Sequence, residues 1–152
     1  IIRRENLEQL LVPERFNVAV GTTSMRTLES TYWYGVMLKQ DQGAPFKVPK
    51  LFPYEQPSPL PSMSESMHEV LNKMDYLGVD ELVGTTEIFI FPGYQFRVAN
   101  GLITNFHQPN STLILLIAAF VGSDWRKVYN EALNSDYRFL SYGDSSLLIP
   151  GN

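Results

Sequence analysis

The stretch LITNFHQPNSTLILLIAAFV, Leu102 to Val121, decides how the chain folds. Leu102 to Phe106 mixes β-branched and aromatic residues over the length of a strand, while Thr112 to Val121 is apolar on every side and long enough for a buried helix. Between them, His107-Gln108-Pro109-Asn110-Ser111 sets a titratable ring, a stiffening proline and a helix N-cap candidate where strand hands over to helix. In open α/β sheets, ligands sit in such strand-to-helix loops.

A unit of the same design precedes it. Phe16 to Val20 reads as a short strand, Gly21-Thr22-Thr23-Ser24 as a tight loop, and Met25 to Leu38 as a helix with Met25, Leu28, Tyr32 and Val36 on one face. If the two strands run parallel in one sheet, both loops leave at the same edge and meet across a cleft. Asn100-Gly101 lies between apolar runs, a strong hairpin signal, so Phe96 to Val98 is expected to pair antiparallel with the Leu102 strand. The expected fold is α/β: a layered αβα sandwich with a mixed, mainly parallel sheet plus an antiparallel hairpin, all 152 residues forming a single domain.

Elsewhere, Ile1 to Leu11 places Ile2, Leu7, Leu10 and Leu11 on a helical stripe that ends before Pro13. From 39 to 62 the periodicity dissolves into a surface excursion holding six of the ten prolines, which is either functional, flexible or packed through Phe46, Phe52 and Tyr54, packing being favoured over function. Ser64 to Leu77 carries Met67, Val70, Leu71, Met74 and Leu77 at helical spacing, with Gly78 as its stop. Thr86 to Phe91 reads as a strand, and Asp124 to Leu133 as a last helix with Trp125, Val128, Tyr129 and Leu133 inward. The tail holds a polar Ser141-Tyr142-Gly143-Asp144 loop and an edge-like strand, Leu147 to Ile149.

Composition limits the chemistry. The 44% apolar and 12% aromatic content builds a real core. With no cysteine and two histidines there is no disulfide framework, no thiolate site and little scope for zinc, and a reducing cytoplasm is the expected setting. No stretch approaches the roughly 20 apolar residues of a membrane span, and the amino end lacks a signal-peptide apolar region. A net charge of −4 argues against a freestanding nucleic-acid clamp, so an RNA partner needs further surface. The first residue is Ile rather than Met, as expected of a processed product or part of something longer.

The loop at Gly21 presents backbone N–H groups at a helix N-terminus, able to hold a carboxylate or phosphate with Arg26 one turn in. It lacks the glycines and lysine of a P-loop and the GxGxxG spacing of a dinucleotide fold, and loops like it often serve only as caps. His107 is a candidate general acid or base; the plainer alternative is a ring bonded to backbone at a strand end. His68, between Met67 and Glu69 on a helix, reads as an ordinary surface or half-buried residue. Ser24, His107 and Asp144 assemble on paper into a hydrolase triad, but no GxSxG elbow surrounds any serine. Asp144 and Glu29 are candidates for binding sugar hydroxyls or a cation, equally well for a cap or salt bridge.

Three blocks, GTTSMRTLES (Gly21 to Ser30), FPGYQFRVANGLITNFHQPNSTL (Phe91 to Leu113) and YRFLSYGD (Tyr137 to Asp144), resemble the signature segments of one family. It is the S-adenosylmethionine:tRNA ribosyltransferase-isomerase family of queuosine biosynthesis, and TNFH-x-P is the most distinctive of its wording. The resemblance runs from about the first helix to the C-terminus and corresponds to the later part of a family enzyme, without the family's amino-terminal segment and nearly all of its inserted β-barrel domain. Met25, Gln108, Leu140 and Ser145 depart from the usual wording, as side-chain swaps within intact frames.

The resemblance implies transfer of the ribosyl part of S-adenosylmethionine onto the aminomethyl group of a deazaguanine at the tRNA wobble position, giving epoxyqueuosine, adenine and methionine. S-adenosylmethionine is then a co-substrate, no prosthetic group or metal is called for, and tRNA is held mainly through the segments missing here. It assigns catalysis to His107 and Asp144, and substrate binding to Gly21, Thr22, Thr23, Ser24, Arg26, Glu29, Asn105, Ser111, Thr112 and Tyr142. This chain alone is expected to have low activity. Two alternatives stay open: a catalytically incomplete fragment or binding module of the same family, and an unrelated hydrolase.

Overall fold

The computed structural model describes residues 1–108 and 111–150, so Pro109 and Asn110 of the expected turn lie outside the described residues, as do Gly151 and Asn152. In chain order the elements are β1 (Ile2–Arg3), α1 (Arg4–Leu10), β2 (Val18–Val20), α2 (Thr22–Gln40), β3 (Lys47–Val48), α3 (Met63–Leu77), β4 (Glu81–Leu82) and β5 (Thr85–Thr86). They are followed by β6 (Gly101–Asn105), α4 (Thr112–Val121), α5 (Trp125–Asn134) and β7 (Ser145–Leu148). The chain divides into two compact units, Ile1–Arg15 with Arg26–Phe89, and Phe16–Met25 with Ile90–Asn152.

The first unit is built on the Arg26 to Gln40 part of α2, where every residue from Glu29 to Val36 is buried. The one-faced helix expected there is instead enclosed all round, because the proline-rich excursion and α3 close on it. Tyr34 stacks on Phe46 with ring centroids 4.3 Å apart, Trp33 meets the edge of Phe52 at 6.0 Å, and the Tyr32 hydroxyl donates to the Pro61 carbonyl at 2.7 Å. Burying polar residues is tolerable only with partners, and Ser30 has the Thr86 hydroxyl at 2.7 Å while Thr31 donates to the Thr27 carbonyl at 2.8 Å. Gly35 lets α2 lie close against α3: a Cβ built there would lie 2.1 Å from the Ser66 carbonyl oxygen and 2.2 Å from Ser66 Oγ.

α3 is defined at both ends by local chemistry. Ser62 and Glu65 form a reciprocal capping box, the Glu65 N–H donating to Ser62 Oγ at 3.1 Å and the Ser62 N–H to Glu65 Oε2 at 2.7 Å. These bonds, the Ser62 backbone N–H foremost, hold the Glu65 carboxyl below its usual range. Gly78 ends the helix at φ 66°, where a side chain would be strained.

Two expectations are corrected in this unit. Ile2 and Arg3 are not helical but pair antiparallel with β4, and α1 begins at Arg4, whose guanidinium bonds Asp80 and Asp75 at 2.8 Å each. Thr86 to Phe91 is not a full strand. β5 spans two residues, parallel to β3, and beyond it only alternate N–H groups continue the ladder, Glu87 to Val48 at 3.0 Å and Phe89 to Lys50 at 3.1 Å.

The second unit is a three-stranded sheet in the order β2-β6-β7, with β2 parallel and β7 antiparallel to β6. The expected hairpin between Phe96 to Val98 and the Leu102 strand does not form, because both edges of β6 are taken by β2 and β7. Asn100-Gly101 clamps the start of β2 instead. The N–H groups of both residues donate to the Asn17 carbonyl, at 2.8 and 3.0 Å, and Asn17 N–H returns a bond to Asn100 Oδ1 at 2.9 Å. α4 buries Ile114, Leu116, Ile117, Ala118 and Phe120, the last packed edge-on against Phe96 at 4.7 Å, while Leu115 stays partly exposed. In α5 it is Ala132 rather than Leu133 that turns inward with Tyr129; Leu133 is exposed.

Candidate functional site

The site is set by how two strands end. Val18, Ala19 and Val20 of β2 register with Gly101, Leu102 and Ile103 of β6 in parallel, so the loops after both strands leave at the same end of the pair. Gly21 continues the ladder by donating to the Ile103 carbonyl at 2.7 Å, then turns at φ 87°, a conformation that suits glycine. Its own carbonyl accepts from Met25 N–H at 3.1 Å and so opens α2 at Thr22. The chain leaving β6 at Asn105 opens α4 at Thr112. Two helix N-termini therefore begin where one parallel pair stops.

At α4 the N-cap is Ser111, in extended conformation with no side-chain cap bond. Its Oγ is buried and has no hydrogen-bond partner among the described residues. Thr23 and Ser24 are exposed, and Gly21 and Thr22 are half-buried.

His107 is half-buried two residues beyond β6. Its backbone N–H donates to the Tyr129 hydroxyl at 3.1 Å, and its ring Nε2 lies 3.0 Å from Thr104 Oγ1. Behind it, Phe106 gathers Tyr129, Tyr137 and Phe139 at centroid distances of 5.4 to 5.7 Å, which fixes the backbone carrying the ring. Burial lowers the imidazole's affinity for a proton below the usual value, so the ring is neutral near pH 7 and can accept one.

The third wall is the loop from Arg138 to Asp144. The Asp144 carboxylate accepts from Arg138 N–H at 2.8 Å and from its guanidinium at 3.1 Å, which holds the carboxyl below its ordinary range. Gly143 has no room for a Cβ, which would lie 2.3 Å from the Arg138 carbonyl. Asn105 ties this loop to the strand end, its Nδ2 reaching Gly143 O at 3.1 Å and Ser145 Oγ at 3.2 Å. Leu140 closes the other side by donating to Phe106 O at 2.8 Å, and does so at φ 71°, a left-handed conformation rare for a bulky side chain. Tyr142 projects from the loop 97% exposed.

Thus Gly21 to Ser24, Asn105, His107, Ser111, Thr112, Tyr142 and Asp144 fall in one compact unit. Arg26 and Glu29 belong to the other, where the Arg26 guanidinium donates to the Ile88 carbonyl at 2.7 Å and Glu29 is fully buried. The paper triad gains no support: Arg138 occupies the Asp144 carboxylate and Thr104 stands at the His107 ring. Thr104, Tyr129 and Arg138 were not legible as site residues in the sequence, although Thr104 three residues before His107 and Arg138 six before Asp144 are close enough in the chain to have been considered. Among the described residues no cluster of three or more His, Asp or Glu is placed to hold a metal. Nor is any helix long and apolar enough to cross a membrane.

The profile of a family described as queuosine biosynthesis protein matches residues 5–148. The S-adenosylmethionine:tRNA ribosyltransferase-isomerase of Cereibacter sphaeroides is 58% identical over 69 residues, 45% of this chain and 20% of that protein. Its namesake from Chlorobium luteolum is 49% identical over 83 residues, 54% of this chain and 24% of that one. A crystal structure of S-adenosylmethionine tRNA ribosyltransferase from Thermotoga maritima superposes with a TM-score of 0.60 at 32% identity, covering 95% of this chain and 37% of that one. The chain therefore spans little more than a third of the solved relative's length.

Proposed function

We propose, from the premise that the chain belongs to the queuosine biosynthesis protein family, that it forms the S-adenosylmethionine wall of a tRNA ribosyltransferase-isomerase. The observation that carries this reading is the parallel pairing of β2 with β6, which starts α2 and α4 at one end of the sheet beside His107. The co-substrate is zwitterionic. Its methionine carboxylate needs anion-binding donors, which the N–H groups after Gly21 and Ser111 offer together with the Thr22, Thr23, Ser24 and Thr112 hydroxyls. Expelling adenine needs a proton or a hydrogen-bond donor, and a proton beside the sulfonium needs a base.

His107 is the group for the proton. Neutral near pH 7, it has one basic nitrogen, and when Nε2–H donates to Thr104 the basic atom is Nδ1. The proton gained there is available to return to the departing adenine. Asp144, engaged by Arg138, shapes the loop that presents Tyr142, an aromatic face suited to stacking on a nucleobase. In this reading the tRNA carrying the deazaguanine is held mainly by polypeptide beyond these 152 residues, consistent with the net charge of −4.

The experiment is to incubate the chain with S-adenosylmethionine and deazaguanine-bearing tRNA and to follow adenine release and binding separately. Release that depends on both substrates supports the enzyme. Binding of S-adenosylmethionine without release supports the second reading, a catalytically incomplete module, which is favoured by a net charge of −4 that suits tRNA poorly. Absence of both removes the family activity from this chain.

A further inference from the structure

The three-stranded sheet has one covered face and one bare face. Alternation along the strands puts Ala19, Leu102, Thr104 and Leu148 on one side, and all four are buried. The opposite side carries Val18 and Val20 of β2, Ile103 of β6 and Leu147 of β7, with Val20, Ile103 and Leu147 aligned in one cross-strand row. Phe16 lies on the same side, since a Cβ built on Gly101 would be 3.1 Å from its ring and 3.2 Å from Val18 Cγ2. Val20 is 67% exposed, Leu147 59% and Phe16 56%. Sheets that meet water on one side turn polar residues to it, whereas this one turns apolar residues outward.

The size of the patch says what fits. Three strands spaced about 4.8 Å apart and about 15 Å long make a face of roughly 200 Å². A helix of about ten residues is about 15 Å long and 10–12 Å wide, which matches. A stable contact between two copies buries roughly 800 Å² on each partner, several times the area present. Polypeptide to supply a helix exists in the family, because the solved relative has nearly two thirds of its chain outside the match.

We propose that the face of Phe16, Val18, Val20, Ile103 and Leu147 is the seat of one amphipathic helix contributed by polypeptide outside these 152 residues. The sheet then gains its second cover by association. The proposal rests on the family membership and the sheet geometry, and it is independent of which reaction the site performs.

The chain has no cysteine, so Val20→Cys and Leu147→Cys each introduce a single thiol. Maleimide labelling of each is followed by mass spectrometry in the isolated chain and in a chimera in which these 152 residues replace the matched part of the Thermotoga maritima relative. Val83→Cys, equally exposed but in the other unit, is the control. Labelling at residues 20 and 147 should be at least roughly tenfold slower in the chimera, as burial under a packed helix requires, with the control unchanged. Equal rates in the two settings overturn the proposal. So does protection in the isolated chain that rises with its concentration, because a second copy would then hold the face. Should the chimera fail to fold, the isolated chain with Val20→Lys and Leu147→Lys decides: an empty docking face predicts less binding of a hydrophobic dye at unchanged melting temperature. A lowered melting temperature would show the side chains already packed and overturn the proposal. Labelling rates do not depend on adenine release, so this result and the catalytic reading stand or fall separately.

Discussion

The ring Nε2 of His107 lies 3.0 Å from the hydroxyl of Thr104, three residues back along the chain. Thr104 is buried on the covered side of β6, so it offers the imidazole a fixed partner rather than a mobile one. In the chimera, His107→Ala should lower the rate of adenine release by roughly two to four orders of magnitude, the usual loss for a general acid or base. Thr104→Val should cost about tenfold, one ordinary hydrogen bond's worth, and Thr104→Ser should restore the rate. A serine variant as slow as the valine variant would show that the threonine acts through packing and not through its hydroxyl.

Acid should unmask the same ring in the stability of the isolated chain. Burial keeps the folded-state pKa of His107 below the ordinary imidazole value near 6.5, so the unfolded chain binds the proton first as pH falls. Stability from this group is therefore whole above about 6.5, declines as pH falls toward the folded value, and levels off below it. Urea unfolding midpoints taken across that window should fall, and His107→Gln should flatten the profile. An unchanged slope in the variant would assign the loss to another group.

Asp144 titrates with the same sense in a lower window. Its carboxyl is held low by Arg138, so its contribution is present above the ordinary value of 3.8 and is lost as pH falls through the folded value. Asp144→Asn removes the ion pair at any pH. Amide hydrogen exchange at Arg138 and Asp144, which bond each other across the loop, should quicken in that variant while exchange in α4 stays as it was. Unaltered exchange at both amides would mean that Asn105 and the Leu140 amide hold the loop without the ion pair.

Leu140 pays for its left-handed backbone, φ 71°, where a side chain with a Cβ is disfavoured by about 1–2 kcal/mol. Asparagine visits that region more easily, and Leu140 is exposed, so Leu140→Asn should leave stability equal or raise it by up to about 1 kcal/mol. A clear drop in the melting temperature would reveal that the exposed leucine makes contacts that outweigh its strain.

The parts of the fold that could be read from the sequence were those set by local chemistry. The apolar run of α4, the spacing of Met67, Val70 and Met74 in α3, and the stop at Gly78 all act within a turn or two of the chain. Asn100-Gly101 misled because hairpin chemistry is also local, while the pairing of β6 was settled by strands whose partner residues are 40 to 46 positions away on one side and 83 on the other. The burial of Glu29, Ser30 and Thr31 was hidden for a similar reason: their environment is supplied by distant segments of the first unit. In the site, Gly21 and His107 stood out by type and position. Tyr129 could not, since nothing in the sequence of α5 announces that its hydroxyl will receive the N–H of a residue 22 positions earlier.

Gly35 has a consequence for how this fold varies over evolutionary time. The obstacle to a side chain there is above all the Ser66 carbonyl oxygen, 2.1 Å from where a Cβ would be, and that atom belongs to the backbone whatever residue occupies position 66. No substitution at 66 can make room, so no pair of changes compensates. Position 35 should therefore stay glycine, and position 66 should vary only among small residues, because Ser66 Oγ lies 2.2 Å from the same built Cβ and donates to the Tyr32 carbonyl.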